Sequence, residues 1–381
     1  MELQEYRALI DDVDDKLLEL FKERMDISYN IAKYKKERDL PVLDSTREKA
    51  KLVDIGNKAG DDFRSYAQML FSMLFELSRT HQGSIVNAES ELSKSIADAY
   101  ADTERIFPQY ALTACQGVEG AYSQIACDRL FSESNILYFS SFDAVFSAVR
   151  DGLCKYGVLP LENSTAGSVN MVYDLMMRHS FKIVRSIRLK VDHNLLVRPG
   201  TKKEDIREIF SHDQAFLQCE GYLKSLGKNV KLTVAANTAE AAKLVAESGR
   251  KDAAALASRA CCELYDLKCL ESSVQDKGNN YTRFICISKD LEIYPGANRT
   301  SIMLTTAHKP GALYKVLGCI YTLGINVVKL ESRPIPDRDF EFMFYFDLET
   351  SVYSRKFAQV ICELENMCEE FHYLGSYSEI V

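Results

Sequence analysis

The chain has 381 residues, 46% of them hydrophobic and 27% charged, with 47 Lys+Arg against 55 Asp+Glu and a formal net charge of -8. These proportions belong to an ordinary globular protein and exclude a disordered or collagen-like chain, and the length allows two or three domains. A net negative charge gives no diffuse attraction to nucleic acid or to an anionic membrane, so any anionic ligand has to be caught by local basic groups.

Eleven cysteines are scattered through apolar runs without metal-ligand or CxxC spacing. They read as buried thiols in a reducing cytoplasm rather than as a disulfide framework or a metal site. The start, MELQEYRALIDDVDDK, is acidic and amphipathic rather than a signal peptide, and no apolar run approaches the length of a membrane span. The expectation is a cytoplasmic protein that needs neither metal nor cofactor and binds neither nucleic acid nor membrane.

Leu3, Tyr6, Ile10, Val13, Leu17, Leu20, Ile27, Ile31 and Tyr34 keep a heptad-like register, which predicts one long helix with a partner on its seam. Pro41 stops it, Asp44 caps a second helix running through Lys51 to Ile55, and Gly56 or Gly60 ends that one. A third amphipathic helix runs from about Phe63 to His81. Three helices cannot cover the whole of the first, so the unit calls for a second copy of the chain. A polar stretch over 85–108 reads as a linker with some helical content.

Arg24 stands on the seam where a hydrophobe is expected, and a buried guanidinium has to be paired. Lys35, eleven residues later, returns to nearly the same face, whereas Arg7 lies about 26 Å away along the helix and reaches the site only from an antiparallel partner. Arg47 and Glu48 in the second helix, and Ser78 and Gln82 at i and i+4 in the third, are ordinary solvated pairs taken singly. Together with Arg24 and Lys35 they suggest a polar cavity inside the bundle.

Beyond the linker, short apolar runs (ALTAC, NILYF, YGVLPL, KIVRSIRL, KLTVA, AAALA) alternate with helical stretches, which predicts α/β units on largely parallel sheet. The composition break at Arg198–Thr201 suggests two lobes with a cleft between them. Polar clusters fall at strand ends: Gly117–Ser123, Pro160–Ser168, Ser211-His212 with Gln218, and Asn279–Phe284. Strand ends are where open α/β sheets bind ligands, although a tight turn explains the first cluster and helix capping explains the second equally well. His212 is a possible acid, and His193 reads as structural. From about Thr300 the order is βαββαβ, the ferredoxin-like arrangement.

Arg7, Arg24, Lys35, Asp44, Arg47, Glu48, Ser78 and Gln82 resemble the all-helical chorismate mutase domain in order and spacing. The resemblance implies that Arg24, Arg47 and a partner's Arg7 hold the substrate carboxylates. Lys35 and Gln82 would then donate to the ether oxygen and Glu48 would take the ring hydroxyl, with Asp44 and Ser78 in support. The GAYS, PLENS, HDQAFLQC and YTRF runs resemble prephenate dehydratase over about 110–290, although Val118 stands where that family often has Pro. This implies a two-lobed domain like type II periplasmic binding proteins. Thr282 would assist the leaving hydroxyl, Asn163 and Gln218 would orient substrate with Ser211 nearby, and Ser123, Ser164 and Thr165 would contact carboxylates. Gly311-Ala312-Leu313 and Glu331-Ser332-Arg333-Pro334 resemble the phenylalanine-binding motifs of an ACT domain.

The implied protein is a bifunctional chorismate mutase/prephenate dehydratase, divided into a mutase domain (1–84), a linker (85–108), a dehydratase domain (109–291) and an ACT domain (298–378). Phenylalanine would inhibit it, and it would assemble as a dimer or tetramer. Two other readings stay open at this point: a non-catalytic amino-acid sensor dimerised by its helices, and an enzyme with one live activity.

Overall fold

The computed structural model describes residues 2–38, 40–86, 90–227, 229–335, 338 and 341–381. The chain forms two compact units, residues 1–98 with 304–371, and residues 99–303 with 372–381. Neither unit is contiguous in sequence: the first joins the N-terminal segment to most of the last, and the second joins the middle segment to the final residues.

The first unit begins with α1 (Leu3–Lys36), α2 (Ser45–Ala59) and α3 (Arg64–Val86), followed by α4 (Glu91–Asp102), within which the unit boundary falls. The capping box of Glu2 and Glu5 starts α1. Asp44 caps α2 as expected, accepting from Arg47 N at 3.0 Å, and Gly60, at φ 74°, follows its last residue. Only the later part of α1, around Ser28 and Ala32, is buried, while Leu3, Ile10 and Leu20 are each at least 60% exposed. Helix α4 occupies much of the expected linker.

The second unit carries two sheets. The first lobe holds β1 (Tyr110–Gln116), α5 (Tyr122–Leu130), β2 (Glu133–Phe139), α6 (Phe142–Arg150), β3 (Tyr156–Asn163), β4 (Gly167–Ser168), α7 (Asn170–Arg178) and β5 (Lys182–Lys190). The chain then crosses to β6 (Asn194–Val197), β7 (Glu208–Ser211), α8 (Asp213–Gln218), α9 (Glu220–Ser225), β8 (Lys231–Val234), α10 (Thr238–Glu247), β9 (Ala253–Ala257), α11 (Ala260–Leu264) and β10 (Lys268–Glu271), and returns in β11 (Tyr281–Ser288). The crossings lie after β5 and after β10, so the Arg198–Thr201 break is a turn inside the second lobe. The parallel expectation holds for β1 with β2 and β3 and for β7 with β8 and β9. The strands next to the crossings run the other way: β11 is antiparallel to both β3 and β5, and β6 to both β9 and β10.

The last segment is β12 (Arg299–Thr305), α12 (Ala312–Thr322), β13 (Asn326–Pro334), β14 (Phe342–Glu349), α13 (Arg355–Met367) and β15 (Glu370–Tyr377), with sheet order β13-β14-β12-β15, the ferredoxin-like topology. A final β16 (Glu379–Ile380) joins the first-lobe sheet beside β5. That sheet has the order β16-β5-β11-β3-β1-β2 with β4 on β3, and the second lobe has β10-β6-β9-β7-β8. Within the first unit, α12 and α13 pack on α3, where Thr80 donates to Glu363 at 3.0 Å and Gln359 donates to the Thr80 carbonyl at 3.0 Å.

Gly375 lies at φ 139°, and a Cβ there would collide with the Ile183 carbonyl oxygen. Gly375→Ala therefore destabilises the second unit by about 2 kcal/mol or more through overpacking and backbone strain, read as a lowered melting temperature.

Candidate functional site

Among the described residues, those named from the sequence gather at two polar sites, one in each unit. The first is a cavity of about 770 Å3 lined by Arg24, Ser28, Lys35, Asp44, Arg47, Glu48, Ser78, Arg79 and Gln82. Every bundle residue named from the sequence is there except Arg7, which lies near the exposed start of α1. Arg24 donates to the Leu74 carbonyl at 2.9 Å and to Ser78 Oγ, and lies 5.6 Å from the centre of the Phe75 ring. Burial lowers its guanidinium from the usual value against the opposing charge of Glu48, yet an arginine stays charged under any such shift. Lys35 Nζ donates to the Val42 carbonyl at 2.5 Å. Asp44 serves first as the α2 cap.

Arg79, which the sequence reading passed over, donates to both oxygens of Glu48 at 2.5 Å. Nothing in its spacing sets it apart from an ordinary α3 charge. Ser28 was also missed, although it stands one turn after Arg24. It accepts from Gln82 Nε2 at 2.9 Å, while Gln82 Oε1 is buried without a hydrogen-bond partner among the described residues.

The second site lies between the lobes, where β3 and β11 end side by side with Thr282 opposite Asn163. Asn163 Oδ1 accepts from Thr165 N at 3.0 Å, Ala166 N at 2.8 Å and Thr165 Oγ1 at 2.8 Å. Backbone N–H groups only donate, so the amide has one orientation, and its Nδ2 donates to Thr282 Oγ1 at 2.9 Å and Asn280 Oδ1 at 2.7 Å. Asn280 must then turn its own Nδ2 to Gln218 Oε1 at 2.8 Å, and Gln218 Nε2 donates to Thr165 Oγ1 at 2.9 Å. His193 Nε2, 2.8 Å from the same Gln218 oxygen, is therefore the protonated nitrogen. Burial holds the imidazole below its ordinary pKa, outweighing the Gln218 bond, so His193 is neutral at neutral pH. An adjoining cavity of about 230 Å3 is lined by Thr165, Gln214, Gln218, Gln275, Lys277 and Asn280, among others.

Asn163, Thr165, Gln218 and Thr282 thus meet as the sequence suggested, with Asn280 and His193 completing the network. Ser164 sits at its edge, accepting from Tyr281 N at 2.9 Å and donating to the Asn279 carbonyl at 2.7 Å. Ser211 and Ser123 do not join it. The Ser211 hydroxyl is wholly buried and donates to the Leu256 carbonyl at 2.7 Å, and Ser123 is buried in the first turn of α5. His212 caps α8, its Nδ1 accepting from Gln214 N at 3.2 Å, and makes no described hydrogen bond to the network of Asn163 and Thr282. The Gly117–Ala121 turn is a packing turn: at Gly120, φ 89°, a Cβ would press on Cys261 and Leu264 at 3.0 Å. The Pro160–Ser168 run turns on itself at Asn163, and α7 begins beyond it after Val169. Gly311, at φ 82°, precedes α12, and Glu331–Pro334 close β13.

Comparison with known proteins agrees with this geometry. Residues 6–83 match the family model for chorismate mutase type II and residues 113–292 that for prephenate dehydratase. A bifunctional chorismate mutase/prephenate dehydratase of Enterobacter agglomerans is 31% identical over 97% of this chain and 94% of its own. The chain belongs to the bifunctional chorismate mutase/prephenate dehydratase family. Arogenate dehydratase/prephenate dehydratase 2 of Arabidopsis thaliana is 37% identical over 69% of this chain and 72% of its own. Among solved structures, GqqA, described as a novel type of quorum quenching acylase, is 34% identical with a TM-score of 0.64, over 70% of this chain and 97% of that one. A prephenate dehydratase of Arthrobacter aurescens in complex with L-Phe shares the fold, at 23% identity and a TM-score of 0.65, over 70% of this chain and 89% of that one.

Arg79→Ala removes the charged partner of Glu48, and mutase turnover falls about 10- to 100-fold, the worth of a charge-assisted hydrogen bond, while dehydratase turnover stays unchanged; parallel assays on chorismate and prephenate check this. For His193, the folded pKa lies below the unfolded one, so only the unfolded chain takes up a proton as pH falls through about 6.5, and stability is lost in that direction. Melting temperature accordingly drops less between about pH 7.5 and 5.5 in His193→Gln than in the parent chain.

Proposed function

We propose that the chain converts chorismate to prephenate in the helical cavity and prephenate to phenylpyruvate between the lobes, and that L-phenylalanine inhibits it through the ferredoxin-like segment. The observation that carries this is the joint presence of two polar sites in a chain that matches a bifunctional relative over 97% of its length.

The first reaction is an intramolecular rearrangement, so the site has only to hold the dicarboxylate compactly and stabilise charge on the ether oxygen. Arg24 and Arg47 hold carboxylates, and Arg7 of a second copy completes the site, which the exposed apolar seam of α1 supports. Lys35 moves from the Val42 carbonyl to the ether oxygen. Gln82 joins it by turning its amide over, after which the Ser28 hydroxyl donates to Gln82 Oε1. Glu48, held by Arg79, accepts from the ring hydroxyl, with Asp44 and Ser78 in support.

In the second reaction the ring loses carbon dioxide and hydroxide together and becomes aromatic. Thr282 Oγ1 accepts from Asn163, which leaves its hydrogen free to point at the departing hydroxyl. A threonine is a weak acid, so its part is a hydrogen bond rather than full proton transfer. Asn163 and Gln218 orient the substrate, and Thr165, Ser164 and Lys277 are the nearby partners for its carboxylates. An acyl-transfer reading, raised by the likeness to GqqA, lacks an activated nucleophile. No base accepts from Thr282 in the described hydrogen bonds, and His193 presents a donor to Gln218.

For regulation, Gly311 and Leu313 offer backbone N–H groups to the effector's carboxylate, and Ala312, whose N–H donates to the Lys309 carbonyl at 3.2 Å, holds the turn between them. Glu331, Ser332, Arg333 and Pro334 form the other wall, a reading supported by the L-Phe complex of the Arthrobacter protein.

Supplying chorismate and prephenate separately to the purified chain tests both halves. Lys35→Ala loses the first step and keeps the second, and Thr282→Ala does the reverse. Failure of the parent chain to turn over either substrate defeats the proposal, and loss of both activities in one folded variant defeats the separation of sites.

A further inference from the structure

The last residues of the chain reach the strand that carries Thr282. Arg283, the next residue on β11, has a side chain only 3% exposed. Its guanidinium lies 3.2 Å from Glu162 Oε1 and 3.0 Å from Glu379 Oε2, and Nη2 donates to the Tyr377 hydroxyl at 2.6 Å. Glu379 belongs to β16. Its carboxylate, 6% exposed, also meets Arg188 at 2.6 Å and Arg299 at 3.2 Å.

Register explains why this matters for the site. Thr282 stands opposite Asn163 and Arg283 opposite Glu162, and the ladder then shifts between Arg283 and Phe284. The extra residue, Leu161, belongs to β3, so the ladder between β3 and β11 is irregular just beyond this pair, while β11 keeps a regular ladder with β5 from Tyr281 to Cys286. Side chains alternate along a strand, so Thr282 faces the cleft network and Arg283 faces the opposite side. The cross-strand ion pair therefore fastens from behind the two residues whose contact in front orients the Thr282 hydroxyl.

We propose that Glu379 is a positioning residue for the dehydration step, acting through Arg283 on Thr282. The inference rests on the reading of Thr282 given above. Three guanidiniums, of Arg188, Arg283 and Arg299, converge on the Glu379 carboxylate. With a neutral amide in its place they repel one another in an enclosed setting, where charge interactions are weakly screened. Arg283 yields, and the start of β11 shifts with it against β3, where the ladder is irregular.

The experiment is steady-state kinetics on the full chain with Glu379→Gln, Thr282→Ala and the double variant, with melting temperature measured alongside. Glu379→Gln is expected to lower kcat for prephenate about 10- to 100-fold, the cost of misplacing a catalytic group by about 1 Å, with KM and chorismate turnover unchanged. Acting through Thr282, it has no further effect on the residual rate of Thr282→Ala. A parental kcat in Glu379→Gln overturns the proposal, as does an equal loss in the Thr282→Ala background. Full activity in Thr282→Ala alone overturns the underlying reading of Thr282, which is a separate result. If Glu379→Gln melts before it can be assayed, Arg283→Lys replaces it: it keeps the charge and loses the planar fork, and the same kcat loss, absent in Thr282→Ala, is required.

Discussion

The dehydratase site depends on the capture of one side-chain oxygen by two backbone N–H groups. Once Thr165 N and Ala166 N hold Asn163 Oδ1, every other donor and acceptor in the network is determined, out to the tautomer of His193. The reversed amide would set its own N–H groups against two backbone donors, leaving partly buried groups unsatisfied at about 1 to 3 kcal/mol each. The network therefore has a single arrangement before any substrate arrives. That arrangement makes Thr282 Oγ1 an acceptor from Asn163 and leaves its hydrogen uncommitted, so the oxygen at least is placed in advance of any reaction.

The mutase cavity follows the opposite strategy. Its cations rest on neutral groups of the protein, Lys35 on the Val42 carbonyl and Arg24 on the Leu74 carbonyl. A carboxylate or a developing oxyanion outcompetes a carbonyl for the same cation, because charge-assisted bonds are roughly twice as strong as neutral ones. The pairing keeps the cations placed without neutralising them. Glu48 is treated differently: Arg79 holds it in a charge pair. The chain's net charge of -8 bears on none of this, since the cations that matter sit within one cavity.

What the sequence made legible follows from periodicity and local chemistry. The three bundle helices, the Asp44 cap and the βαββαβ order are local patterns, and they appear as read. So does the meeting of Asn163, Thr165, Gln218 and Thr282, which sit at strand or helix ends where polar clusters stand out. What stayed hidden depends on partners remote in sequence. Arg79 is an unremarked α3 charge until α2 folds against it, and His193 looks structural until Gln218, 25 residues on, reaches its ring. Ser211 misled for the same reason: its strand-end position suggested the cleft, but its hydroxyl turns to the neighbouring strand and holds the Leu256 carbonyl. The grouping of the N-terminal helices with α12 and α13 in one unit is a matter of tertiary packing that no local pattern encodes.

The proposed role of Thr282 at the reacting position is consistent with its surroundings. A stronger acid would have to be protonated at neutral pH and exposed to the leaving hydroxyl, and the nearby candidates fail on one count or the other. His193 is neutral and committed to Gln218, and His212 caps α8 with no described hydrogen bond to the network around Thr282. The buried thiols are poor acids, with desolvation pushing Cys219 up to about 12. With decarboxylation and aromatisation supplying the driving force, a neutral hydroxyl held at fixed distance and angle is sufficient. Its accuracy of placement then carries the burden that acidity carries elsewhere, and this is why the amide network in front of Thr282 and the ion pairs behind it are built so tightly.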